Sequence, residues 1–175
     1  AIARRYQVGR AILAKPAAAD PLWDGLVQTL RGAGTRVDLP HDHLRVRLGA
    51  SRRGSVELDI RPVGSGRLVV EVRAGRESVL LLHSLGSSPI PAGLATGQVA
   101  AIVFPWQRPP DELIAARIEP QAIVFGEERR RDPQLTLWDR RVGSALLLHE
   151  HLHGRIDLSF DARGMQVAVA RNRRN

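Results

Sequence analysis

Period-two alternation of apolar and polar residues dominates this chain. The segment "LRVRL" at 44–48 alternates apolar with basic positions, and "SVELDIRPV" at 55–63 repeats the pattern with Val56, Leu58 and Ile60 on one face. Successive side chains on a strand point to opposite sides, so this spacing predicts half-exposed strands. "RLVVEVR" at 67–73 and "SVLLLH" at 78–83 follow, and the "AGRE" between them reads as a hairpin turn. "ALLLHEHLHGRIDLSFD" and "MQVAVAR" predict further strands near the end. Two runs break the alternation: "VAAIVF" at 99–104 and "QAIVF" at 121–125 are continuously apolar, as in strands buried on both faces.

Helical patterns are fewer. "DPLWDGLVQTLRGAG" opens with an Asp cap and a first-turn proline, places Leu22, Leu26 and Leu30 on one face, and ends at Gly32 and Gly34. "RPPDELIAARI" at 108–118 has Pro109 and Pro110 followed by Asp111 and Glu112, which favour a helix N-terminus. Strand, helix and strand across 99–125 therefore form a βαβ-like unit. The expected class is α/β or α+β, with a sheet-based core in one domain over 1–175.

Composition narrows the picture modestly. The 43% hydrophobic and 25% charged content fits a globular chain, and no apolar run approaches the ~20 residues of a membrane helix. The start "AIARRYQVGR" lacks the apolar stretch of a secretory signal. Without cysteine there are no disulfides, thiolate zinc sites or cysteine nucleophiles. The net charge of +8 favours polyanionic partners. Lys15 is the only lysine among 26 basic residues, and the arginines are scattered, with local runs only at 129–131 and 171–174. A solvated basic surface is the plainest reading of that pattern.

Histidine is the residue type that raises metal chemistry. "HEHLHG" at 149–154 puts three of the six histidines at alternate positions. On a straight strand the outer two would stand about 13 Å apart, too far to share one ion with zinc–nitrogen bonds of about 2.0–2.1 Å. Two neighbours with a remote ligand are the most that geometry allows, leaving His151 and His153 as outside candidates for zinc. His41-Asp42-His43 follows Pro40 between "RVDL" and "LRVRL", and hairpin-turn chemistry explains it.

Other catalytic patterns are missing. "GSS" at 86–88 and "GSA" at 143–145 are not G-x-S-x-G elbows, and Lys15 precedes Pro16 rather than completing a P-loop. The glycines of "PVGSGR" at 62–67 suit a hairpin turn. Arg129, Arg130, Arg131, Arg171, Arg173 and Arg174 are candidate phosphate contacts, but Trp106, Trp138, Tyr6 and the three Phe residues are not interleaved with them as a base-stacking platform would be.

From Arg67 to Ala170 the order of elements carries a family likeness. A strand pair ends in "SVLLLHSLG", a buried strand "VAAIVFPWQRPP" follows, a helix leads to "IEPQAIVFGEERRRDPQ", and "HGRIDLSFDARGMQVAV" closes as a hairpin. This order resembles the later half of the metallo-β-lactamase-like domain at the C-terminal end of the ComEC family of DNA-internalisation competence proteins. Residues 7–63 fit the family's middle section. The resemblance implies a metallo-β-lactamase-like αββα sandwich, incomplete or degenerate here.

Its metal chemistry would require an H-x-H-x-D-H loop, which this sequence does not contain. The family's "GD" carboxylate position falls at His83-Ser84-Leu85, and its "HHGS" ligand falls at Trp106-Gln107. Indole binds no zinc and glutamine binds it poorly, so the implied domain is catalytically inactive and holds no cofactor. The implied role is a soluble accessory domain attached to a bacterial membrane protein, beside its channel. It would contact DNA through a basic surface that includes Arg129, Arg130 and Arg131. The alternatives are a metal-dependent nuclease or phosphodiesterase with its first ligands upstream, and an interaction domain unrelated to DNA.

Overall fold

A computed structural model describes residues 7–51, 54–63, 66–82, 98–104, 118–125, 144–161 and 164–170. The first unit is small. Strand β1 (Arg10–Ile12) pairs in parallel with β2 (Arg36–Asp38), and helix α1 (Pro21–Gly32) makes the crossover between them. The Asp20 side chain caps α1 by accepting from the backbone N–H groups of Leu22 at 2.9 Å and Trp23 at 3.3 Å. At the other end Thr35 N–H donates to Leu30 C=O and Gly34 N–H to Arg31 C=O, with Gly34 at φ 80. These are the paired bonds of a Schellman cap, which needs a left-handed residue where Gly34 stands.

The helix is where the sequence predicts it, but its inward face is turned. Val27 and Leu30 are buried, while Leu22 is 86% and Leu26 46% exposed. The positions three apart face inward rather than the predicted 22–26–30 stripe.

Seven strands form one sheet in chain order: β3 (Leu44–Ser51), β4 (Gly54–Pro62), β5 (Leu68–Ala74), β6 (Glu77–Leu81), β7 (Gln98–Phe104), β8 (Ala122–Phe125) and β9 (Leu146–His149). The first four are an antiparallel meander, and β6 to β9 are parallel. The tight β5–β6 turn places Gly75 at φ 65, a conformation that costs a side-chain-bearing residue strain. The predicted "PVGSGR" hairpin is present as the β4–β5 connection, where Val63 N–H donates to Arg67 C=O. The two continuous apolar runs are β7 and β8, and they pair in parallel. Of the helix predicted between them only Ile118 lies within the described residues.

The sheet has two apolar faces in its parallel half. One carries Leu80, Leu82, Val99, Ile102, Ile123, Phe125 and Ala145, and Val69 of the neighbouring β5 joins that cluster. On the other, Ala101, Ala122, Val124 and Leu148 are covered by Ile156, Leu158, Met165 and Val167. Those last four belong to a separate hairpin, β10 (Arg155–Asp161) with β11 (Gly164–Ala170). A register shift opposite Ser78 and Val79 lets Val99 and Ile102 share a face despite their odd spacing.

This architecture overturns the αββα sandwich and the metallo-β-lactamase fold implied by the resemblance. Among the described residues the chain is predominantly strand with one helix longer than a single turn. An αββα sandwich needs two sheets face to face with helices outside both. Here successive strands stay beside their predecessors in one sheet, a solenoid-like succession, and a β-hairpin packs on one of its faces. No helix among the described residues is long and apolar enough to cross a membrane.

Candidate functional site

The antiparallel half of the sheet puts its polar positions on the face opposite Val46, Leu58 and Val72. Register brings Arg45 opposite Asp59, Arg47 opposite Glu57, Glu57 opposite Arg73, and Asp59 opposite Glu71. With Arg61 on the same face of β4, four arginines and three carboxylates share one surface of β3, β4 and β5. Their depths differ sharply. The Asp59 and Glu71 side chains are 1% exposed and Glu57 27%, whereas Arg45 is 56% and Arg47 67% exposed. Asp59 and Glu71 lie deepest, Arg45 and Arg47 outermost, and Glu57, Arg61 and Arg73 between them.

Asp59 is the hub. His43 Nε2 lies 2.5 Å and Arg61 Nε 3.2 Å from its Oδ1, while Arg45 and Arg73 approach its Oδ2 at 3.6 and 3.7 Å. Among the described residues Oδ2 accepts no hydrogen bond, since both guanidinium nitrogens stand beyond hydrogen-bond reach. Burial alone raises the Asp59 pKa. The Arg61 hydrogen bond and charge, with His43 and Arg73, together outweigh that effect and hold it below the ordinary carboxylate value. Arg73 donates to Glu71 Oε2 at 2.8 Å, and that bond raises the guanidinium pKa above its usual value against the opposing effect of burial. Arg47 donates to Glu57 Oε1 through both Nε and a terminal nitrogen, at 3.4 and 3.1 Å.

Like charges directly opposite on neighbouring strands are destabilising, so the Asp59–Glu71 pair requires its counter-cations. Four arginines against three carboxylates leave a formal excess of +1, and it lies on the outer side. Chemically, such a surface offers guanidinium donors, whose planar forks match phosphate and carboxylate oxygens.

The candidates drawn from the sequence fare differently. His83, Ser84, Trp106, Gln107, Arg129, Arg130 and Arg131 lie outside the described residues. "HEHLHG" is not a continuous strand. Strand β9 stops at His149, and Glu150–His153 form a single helical turn, α2. The 13 Å separation deduced from a straight strand therefore does not apply, and the turn brings His153 back onto His149. His153 Nδ1 lies 2.9 Å from His149 N and 3.0 Å from His149 O, so the backbone engages that ring nitrogen. The His149 ring is buried and stacks on Phe125 with centroids 6.2 Å apart. The His151 side chain lies outside the description. No group of three or more His, Cys, Asp or Glu among the described residues is placed to hold a metal.

The reading of His41-Asp42-His43 as a hairpin turn is also corrected. Strands β2 and β3 belong to different sheets, and His43 leaves the turn to meet Asp59. Sequence reasoning missed Asp59 and Glu71 as buried groups, because alternation assigned them to a solvent face. The available signal was opposite charge at period two on three successive strands, "RVR", "ELDIR" and "EVR".

No family model, curated protein or solved structure matches this chain.

Proposed function

We propose that this chain is a non-catalytic module that contacts DNA through the arginine-bearing face of β3–β5. The observation that supports this is the layering of charge: Arg45 and Arg47 stand outermost while Asp59 and Glu71 are sealed below. The net charge of +8 adds long-range attraction for a polyanion. In the setting implied by the resemblance to competence proteins, the module belongs to a membrane-attached DNA-uptake protein and sits beside its channel. That setting rests on the order of sequence motifs alone, since the fold it implied is not the one formed.

The test is binding of a labelled oligonucleotide, followed by fluorescence anisotropy across a salt series. Wild type is expected to bind with affinity that falls steeply as salt rises. The double variant Arg45→Ala/Arg47→Ala removes two phosphate contacts and should flatten the log–log salt slope by about 1.4 for a single strand or about 1.8 for a duplex. Salt-independent binding, no binding, or an unchanged slope in the variant overturns the proposal.

A further inference from the structure

We infer that Asp59, Glu71 and Glu57 are positioning residues, the inner layer of a receptor for the phosphodiester backbone. Their role is to preset the guanidinium forks of Arg45, Arg47 and Arg73. This deepens the function proposed above and rests on it.

The geometry separates two kinds of arginine contact. Arg47 is gripped by Glu57 through two of its nitrogens, and Arg73 by Glu71 through one, while Arg45 leans over Asp59 at ion-pair distance. A guanidinium has five N–H donors, and a carboxylate beneath occupies one or two of them. The remaining donors of Arg45 and Arg47 stay in contact with solvent, and Arg73 is partly exposed beside them. An arginine on a bare surface must be immobilised when it meets a phosphate, and that ordering costs about 0.5–1.5 kcal/mol per side chain. Here Glu57 holds the Arg47 fork and Glu71 holds Arg73 by hydrogen bonds before the ligand arrives, and Asp59 holds Arg45 by charge alone. Fixed donors aimed outward suit an acceptor-only anion, so recognition falls on phosphate oxygens rather than on base edges.

The consequence runs against simple charge counting. Replacing a carboxylate of the inner layer by its amide makes the protein more positive by one unit, and Coulomb attraction alone would tighten DNA binding. Loss of orientation works the other way. Each released arginine should weaken binding about two- to tenfold, the ordering cost expressed as affinity.

The experiment compares wild type with Asp59→Asn, Glu57→Gln and Asp157→Asn for binding to labelled oligothymidylate at fixed salt. Asp157 is 50% exposed on β10 and pairs with Arg155 outside the cluster, so it reports the effect of added charge alone. The expected result is weaker binding by Asp59→Asn and Glu57→Gln, with Asp157→Asn at or above the wild-type affinity. Circular dichroism confirms folding; if Asp59→Asn is unfolded, Glu57→Gln, at a less deeply buried position, decides. An abasic strand of equal length should bind within about twofold of oligothymidylate, as phosphate recognition requires. Equal or tighter binding by the amide variants overturns the inference while the DNA-binding function stands. So does failure of the abasic strand to bind. Absence of wild-type binding to any strand removes both.

Discussion

Replacing Asp59 should lower stability, and the loss should depend on pH. Asp59→Asn keeps the size and one acceptor oxygen of the side chain but removes the charge shared by His43, Arg45, Arg61 and Arg73. Two of those contacts, from His43 and Arg61, are at hydrogen-bond distance. A charge-assisted bond contributes about 1.5–3 kcal/mol and a neutral one about 0.5–1.5, so each loses about 1 kcal/mol. The contacts from Arg45 and Arg73 are longer, and the 56% exposure of Arg45 lets water replace most of what is lost there. The expected destabilisation is about 2 kcal/mol at neutral pH.

The pH dependence follows from the direction of the Asp59 shift. Its folded-state pKa lies below the unfolded value of 3.8, so the folded form binds its proton less readily. The stabilisation is therefore fully present above the unfolded pKa and is lost as pH falls through the folded one. Urea unfolding of wild type and Asp59→Asn, followed by far-ultraviolet circular dichroism, should show a gap of about 2 kcal/mol at about pH 7 and about pH 5. The gap should narrow once the pH drops below about 3.8. Equal stability at neutral pH, or a gap that persists unchanged in acid, would refute the reasoning.

Three further substitutions probe the scaffold. Gly34→Ala forces a side chain into φ 80 at the end of α1, and thermal unfolding should register a loss of about 1–2 kcal/mol. Phe125→Ala removes a fully buried ring that stacks on His149 and should cost about 3–5 kcal/mol, whereas Leu146→Ala, at a position 47% exposed, should cost well under half of that. Equal losses at Phe125 and Leu146 in urea titrations would count against the described core.

The strands were legible because their cause is local. Alternation in "LRVRL", "SVELDIRPV" and "RLVVEVR" reports a sheet with unlike faces, and the solid runs "VAAIVF" and "QAIVF" report strands apolar on both sides. Asp20 and Gly34 marked the ends of α1 through backbone hydrogen bonding within a few residues. "HEHLHG" misled for the same reason in reverse. Its alternation looks like strand, but Gly154 at φ 74 follows a helical turn closed by Gly154 N–H to Glu150 C=O, and no side-chain period reports that bond.

The sequence by itself determined a sheet-rich chain, the capped helix, the hairpin turns and a cationic excess, all properties of short segments or of composition. Only the tertiary structure decided that seven strands line up in chain order rather than dividing into a sandwich, since pairing partners are chosen between distant segments. It also decided that Asp59 and Glu71 lie sealed beneath arginines. Alternation tells which face a residue occupies; what covers that face is contributed by neighbouring strands, and here Arg45, Arg61, Arg73 and His43 close over a carboxylate that the sequence alone would have left in water.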